Sequence, residues 1–250
     1  MVRRNGVSMD IRELRTEHIE FSGEIMDRVL RSAILNSNVI DVIQDNKRPF
    51  DELMSKYRCA IMEIETKFKV LNEQYSLQYD RNPIETIKTR LKSMESISRK
   101  LAQKGKSFSA KSMEENLDDI AGVRVICSFQ EDIYTLAKCL LDQDDIELLE
   151  TKDYIKNPKP SGYRSLHLIV RVPIFLQNEK CLMKVEVQLR TIAMDFWASL
   201  EHKLRYKKGL EDSEDYQEIS RQLKNCAEIS AMLDRLMENI RGQIEGGRAL

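Results

Sequence analysis

The stretch MKVEVQLR, residues 183–190, alternates strictly between apolar and polar side chains. Side chains on a β-strand point to opposite faces in turn, so Met183, Val185, Val187 and Leu189 share one face, and Lys184, Glu186, Gln188 and Arg190 share the other. The first face is core material. The second carries an acid, an amide and two cations on rigid backbone. Leu166–Val172 repeats the pattern, with His167 and Arg171 set against Leu166, Leu168 and Val170. Two neighbouring segments that offer titratable groups on one face favour a cleft over a solvated surface. Val123–Cys127 and Ile146–Lys152 are further β-branched runs and also read as strands. Between them Ile133, Leu136 and Leu140 have helical spacing, which gives a β-α-β order and an α/β class.

Helices flank this centre. From Asp51 to about Gln78 there is no Gly or Pro, and Leu53, Tyr57, Ile61, Ile64, Phe68, Leu71 and Tyr75 recur on one stripe, the mark of a long amphipathic helix. Pro49 and Asp51 fit its start. Residues 11–43 are also helix-like, with a less regular period. A helix is expected over Ile192–Tyr206, with Phe196 and Trp197 as core anchors, and another over Tyr216–Ile244. In the last, Ile219, Leu223, Cys226, Leu233, Met237, Ile240 and Ile244 form a stripe that either packs on its own domain or pairs between subunits.

The 250 residues carry a formal net charge of -1, with 42% hydrophobic and 32% charged residues and only 9 Gly and 5 Pro. This excludes a disordered or collagen-like chain and a wholesale polyanion binder, and no apolar run approaches the ~20 residues of a membrane span. Residues 1–10 lack the apolar core of a secretory leader, so the cytoplasm is the expected location. Cys59, Cys127, Cys139, Cys181 and Cys226 are odd in number and contain no CxxC, so buried free thiols are expected rather than a disulfide framework or a zinc ribbon.

Local charge is far from balanced. Lys88, Arg90, Lys92, Arg99, Lys100, Lys104, Lys106 and Lys111 are met in the same stretch only by Glu95. Glu114, Glu115, Asp118 and Asp119 follow, then a second basic cluster of Lys152, Lys156, Lys159 and Arg164. Basic clusters flanking carboxylates suit a polyphosphate with a divalent cation, since Lys and Arg neutralise phosphate oxygens and hard carboxylate oxygens hold Mg²⁺. GxxxxGK[ST], GxGxxG after a strand and HExxH are all absent, and none of His18, His167 and His202 precedes an Asp. P-loop, Rossmann, zincin and His-Asp hydrolase chemistry are therefore unsupported.

LDDIAGVRV (residues 117–125), KDYIKNPKPSGYRSLH (152–167) and VEVQLRT (185–191) closely resemble the synthetase domain of the RelA/SpoT family, which makes the alarmones ppGpp and pppGpp. RLKSMESISRK (90–100) resembles the family's ATP-side motif, so the likeness runs from about Arg90 to Lys207. Lacking a hydrolase module and the length for regulatory domains, the chain is similar to the small, synthetase-only members. The resemblance implies an α/β (α+β) fold: a nucleotidyltransferase-like mixed sheet flanked by helices, with long helical extensions at both termini. It implies a helical region over 1–80, the synthetase domain over 81–207, and a C-terminal helix over 208–250 that serves oligomerisation, with a homotetramer expected.

The implied activity is transfer of the β,γ-pyrophosphoryl group of ATP to the 3′-hydroxyl of GTP or GDP, with Mg²⁺ as cofactor. By resemblance Asp119 binds Mg²⁺, and Glu186 lies near the 3′-hydroxyl as general base and metal ligand. Tyr163 stacks on guanine, Arg90 and Arg124 sandwich adenine, and Lys92, Ser96 and Lys100 contact ATP phosphates. Lys156, Lys159, Arg164, His167, Gln188 and Arg190 fall inside the motifs on the GTP/GDP side. The loop reads PSGYRS where long members carry NGYQS, so acceptor preference does not transfer. Some small members carry Asn where Asp195 stands and bind product allosterically; an Asp there would repel phosphate, which argues against product activation. Two rival readings remain at this point: a toxin-type relative acting on the 3′ end of tRNA, and an inactive nucleotide-binding module. No membrane or DNA partner is expected, and RNA only under the first rival.

Overall fold

The computed structural model describes residues 37–79, 81–205 and 216–247, so most of the helix expected over 11–43 lies outside the described residues. Two compact units emerge. One holds Ser93–Leu117 and the described residues up to Asp51; the other holds Glu52–Lys92 and the described residues from Asp118 onward.

Helix α1 (Ser37–Tyr79) belongs to both and corrects the expected start at Pro49, because it runs straight through that residue. A proline inside a helix removes one backbone donor and crowds the carbonyl four residues back, so it usually marks an end. Here the helix continues, and the boundary between the units falls just beyond, between Asp51 and Glu52.

In the smaller unit α2 (Met94–Gln103) starts at Ser93, whose Oγ accepts from Ser96 N at 3.3 Å. Helix α3 (Ala110–Asn116) starts in the same way at Ser109, with Ser112 N at 3.1 Å. Such caps satisfy donors that the first helical turn leaves free. Ile97, Leu101 and Met113 are fully buried, and Phe50 stacks on Phe108 with ring centroids 5.1 Å apart.

The larger unit is built on a five-stranded sheet of β1 (Ile84–Leu91), β2 (Ala121–Cys127), β3 (Glu147–Asp153), β4 (Leu166–Phe175) and β5 (Lys180–Thr191). Its order is β1-β2-β5-β4-β3, with β2 and β5 parallel and the other pairs antiparallel. The β-α-β succession is present, with α4 (Gln130–Leu141) between β2 and β3, but β5 and β4 are inserted between those two strands. Helices α5 (Ile192–Arg205) and α6 (Tyr216–Gly247) follow β5. Strand β1 had no counterpart among the expected strands, because nearly every side chain on this edge is exposed or partly so and no apolar alternation marks it.

The anticipated two-faced pattern of β5 is present. Met183, Val185, Val187 and Leu189 are buried apolar side chains, as are Tyr57, Ile64 and Phe68 of α1 and Ile133, Leu136 and Leu140 of α4. On the other face one register row crosses the whole sheet: Lys88 pairs with Arg124, Arg124 with Gln188, Gln188 with His167, and His167 with Lys152. The next row runs Arg90, Gly122, Glu186, Ile169, Glu150.

Two expectations are corrected, those for the thiols and for Phe196. Only Cys127 is a fully buried thiol, and Cys226 is exposed, since α6 turns a different side inward. Trp197 is buried but Phe196, one position on around α5, is 65% exposed. Helix α6 docks through its small residues Ala227 and Ala231, leaving Leu233, Met237, Ile240 and Ile244 about half exposed. No helix among the described residues is long and apolar enough to cross a membrane.

Candidate active site

Glu186 sits at the centre of the polar face. Its Oε1 faces His167 Nδ1 at 3.0 Å, and its Oε2 accepts from Gln188 Nε2 at 2.9 Å. An ionised carboxylate only accepts, so the shared hydrogen belongs on His167 Nδ1, and Nε2 is left to meet the Tyr163 hydroxyl at 2.8 Å. That hydroxyl in turn accepts from Arg190 Nη2. A continuous hydrogen-bonded chain thus joins Arg190, Tyr163, His167 and Glu186. Burial pushes the Glu186 pKa up, but the hydrogen bond and charge of His167, helped by Gln188, outweigh it and hold the carboxyl below its ordinary value. Asp119 is close enough for its charge to oppose that lowering.

Asp119 stands just ahead of β2 and receives Lys92 Nζ at 2.7 Å; both side chains are largely buried. Its neighbour Asp118 pairs with Lys184 at 2.7 Å. Asp119 and Glu186 belong to the same unit and are near enough for their charges to interact. Their chemistry suits a hard divalent cation, since each carboxylate oxygen offers two lone-pair sites and Mg²⁺ is commonly held by one or two carboxylates plus substrate phosphates. Among the described residues no group of three or more His, Cys, Asp or Glu could hold a metal by itself.

Asp195, in the first turn of α5, was read from sequence only as an obstacle to phosphate, and the structure gives it another part. It is buried, and three cations from three strands converge on it: Lys88 Nζ at 2.9 Å, Arg124 Nη1 at 3.2 Å and Arg190 Nη1 at 3.2 Å. Burial raises its pKa, but these neighbours more than compensate, and the carboxyl titrates below the usual range. Its charge is therefore offset rather than offered to an incoming anion. Gln188 Oε1 completes the lattice, accepting from Arg190 Nη2 at 3.1 Å and Arg124 Nε at 3.3 Å. Burial, then Arg190 and Arg90, ease the Arg124 pKa down against the pull of Asp195. Arg90 and Arg124 lie on the same sheet face, offset by two residues.

On the acceptor-side motif, Lys159 Nζ lies 5.0 Å from the Tyr163 ring centroid and 4.6 Å from that of Tyr154, and the Arg190 guanidinium lies 5.0 Å from Tyr163. Tyr154 meets both Tyr163 and His167 edge-on. Lys156 instead sits over Tyr134 at 5.1 Å, beside Asp153. Arg164 turns toward α6. Ser96 and Lys100 lie in the smaller unit, four residues apart and so on one face of α2. Thus Arg90, Lys92, Asp119, Arg124, Lys159, Tyr163, His167, Glu186, Gln188 and Arg190 all belong to the larger unit, most of them on or beside its polar sheet face. Asp195, Lys88 and Tyr154 were not among the expected site residues. Asp195 follows Arg190 by five positions at a strand-to-helix junction, and Tyr154 falls inside the quoted KDY motif.

Fold and site together define an α/β protein with a mixed sheet whose polar face sets cations around the carboxylates of Glu186 and Asp195. A family model described as a region found in RelA/SpoT proteins matches residues 89–211. GTP pyrophosphokinase YwaC of Bacillus subtilis is 46% identical over 189 residues, covering 76% of this chain and 89% of YwaC. Among solved structures, small alarmone synthetase 2 of B. subtilis aligns with a TM-score of 0.69 at 44% identity, over 78% of this chain and 98% of that one. Small alarmone synthetase 1 of B. subtilis, bound to its product pppGpp, aligns with a TM-score of 0.71 at 33% identity, over 80% and 99%. The chain belongs to the RelA/SpoT family, among its small alarmone synthetases.

Proposed function

We propose that this chain is a GTP pyrophosphokinase that makes (p)ppGpp, passing the β,γ-pyrophosphoryl group of ATP to the 3′-hydroxyl of GTP or GDP and releasing AMP. The observation that carries this reading is the ionised Glu186, fixed by His167 and Gln188 on a basic sheet face with Asp119 in electrostatic reach. Membership among proteins named GTP pyrophosphokinase supports it.

The reaction forms a bond from the ribose 3′-oxygen to Pβ and breaks the bond from Pβ to the oxygen bridging Pα, which leaves on AMP. The hydroxyl proton passes to Glu186, a base carried by rigid strand backbone and held ionised by its partners. Arg90 and Arg124 present planar guanidinium groups on one face, suited to stacking on adenine, and Lys92 beside Asp119 meets ATP phosphates. Tyr163 takes the guanine ring in place of the Lys159 ammonium now near it, which is freed to meet phosphate, while Arg190 stays on the Tyr163 hydroxyl and Asp195. Mg²⁺ would be held by Asp119 and Glu186, where it neutralises charge that develops on the phosphates. Positioning and charge neutralisation are the main requirements for moving a phosphoryl-type group.

The same reading places the protein in the cytoplasm, where ATP and GTP are abundant, and as a homotetramer. Supporting the oligomer are the exposed Ile192, Phe196, Leu200 and Leu204 on α5, one stripe at four-residue spacing. Analytical ultracentrifugation tests it; a monomer across micromolar concentrations would remove it. The activity is tested by offering ATP and Mg²⁺ with GMP, GDP, GTP or tRNA in separate reactions. Pyrophosphorylated guanine nucleotide is expected, and label confined to tRNA would favour the toxin-type relative.

A further inference from the structure

The sequence put Arg164 among the nucleotide contacts, yet its guanidinium is used elsewhere. Arg164 Nη1 donates to Gly162 O at 3.3 Å and to Ala227 O of α6 at 3.2 Å. Gly162 has φ of 90°, a left-handed conformation that disfavours any residue with a Cβ, and a Cβ placed there would lie 2.5 Å from the Ala227 Cβ. Both neighbours of Tyr163 are therefore seated on the same alanine. The Tyr163 ring itself packs against the cluster of Trp197, Ala198 and Ala227. Helix α6 is in turn fastened to α5 and the end of β5. Trp197 Nε1 donates to Leu223 O at 2.9 Å, Ser230 Oγ to Ala193 O at 2.9 Å, and Thr191 Oγ1 to Asp234 Oδ2 at 2.6 Å.

We propose that Arg164 is a positioning residue: together with Gly162 it seats the acceptor loop on Ala227 of α6, and that seat sets the orientation of Tyr163 toward the guanine acceptor. The inference rests on the assignment of Tyr163 to the acceptor and goes beyond it by giving α6 a part in acceptor binding. A contact to nucleotide phosphate and a seat for the loop differ in one measurable way. Removing a phosphate ligand weakens binding more as the nucleotide carries more phosphate, whereas tilting the Tyr163 ring weakens GMP, GDP and GTP alike.

The test compares wild type, Arg164→Gln and Ala227→Val by calorimetric titration with GMP, GDP and GTP, in the presence of a non-hydrolysable ATP analogue whose own affinity is also measured. Both variants are expected to lose guanine-nucleotide affinity by on the order of tenfold or more, equally for the three nucleotides, because ångström-scale misplacement has effects of that size. The affinity for the ATP analogue stays within about twofold, which also shows that the variants are folded. A loss for Arg164→Gln that grows from GMP to GTP would make it a phosphate ligand and overturn the proposal. So would unchanged acceptor affinity in Ala227→Val. Should wild type bind no guanine nucleotide at all, the assignment of Tyr163 fails instead, and the two failures are distinct.

Discussion

Replacing Asp195 by Asn removes the one negative charge on which Lys88, Arg124 and Arg190 converge, while keeping the shape and one acceptor oxygen. The size of the effect follows from exposure. The Asp195 and Arg190 side chains are 9% and 5% exposed, so this pair counts as buried, whereas Lys88 is 55% exposed and its bond is worth little. Breaking a buried pair by removing one partner costs about 3–5 kcal/mol, and the retained oxygen of Asn puts the expected loss near the lower figure, about 3 kcal/mol. For a domain of this size that is a fall of roughly 6–12 °C in Tm.

The sign with pH is fixed by the lowered pKa of Asp195. A depressed carboxyl contributes stability that is fully present above its unfolded value of about 3.9 and is lost as pH falls through the lower folded value. The gap between wild type and variant should therefore be full at neutral pH and close in strong acid. Bound nucleotide supplies the missing negative charge, so ATP should raise the variant's Tm more than that of wild type. Differential scanning calorimetry at neutral and acid pH, with and without ATP, measures all three. A neutral-pH shift under about 2 °C, or a gap that persists unchanged in acid, would refute the part given to Asp195.

Other expectations follow from the same geometry. Glu186→Gln should lower kcat by about a hundredfold or more while calorimetric GDP binding survives; a rate near wild type would remove Glu186 from the mechanism. Because the Glu186 carboxyl titrates below its ordinary value, a kcat profile limited by this group should fall to half only at a pH below about 4.5; a midpoint above that would contradict its lowered pKa. Gly162→Ala should destabilise by about 1–3 kcal/mol from the left-handed backbone alone, read as a lower urea midpoint, with further loss from the collision with Ala227. Chelation with EDTA should abolish turnover and Mg²⁺ restore it, with Asp119→Asn needing more Mg²⁺ for half-maximal rate; full activity in EDTA would discard the metal.

Those parts of the molecule governed by short-range periodicity could be read without coordinates. The alternation in β5 sorted its side chains between faces, and the spacing in α1, α4 and α6 announced helices. The polar face followed, since a strand's register fixes which residues can meet across it. What escaped depends on long-range packing. Edge strand β1 buries too little to show alternation, and α1 passes Pro49 where local rules would end it. On α6 the eye is drawn to large apolar residues, yet the seat is made by Ala227 and Ala231, because close approach of Gly162 needs small side chains. Asp195 looked like a lone anion in sequence, and only the sheet register brings Lys88, Arg124 and Arg190 around it. Arg164 sits in a motif rich in functional residues, and its direction is decided by a helix more than sixty positions away.

The most direct measurement is product analysis of a single reaction containing purified protein, γ-labelled ATP, GDP and Mg²⁺, resolved by anion-exchange chromatography. AMP and a guanine nucleotide bearing the labelled pyrophosphate on its 3′-oxygen should accumulate in equal amounts and disappear together in Glu186→Gln. Label released as free phosphate or pyrophosphate, with GDP unchanged and no AMP matched to a guanine product, would contradict the assignment.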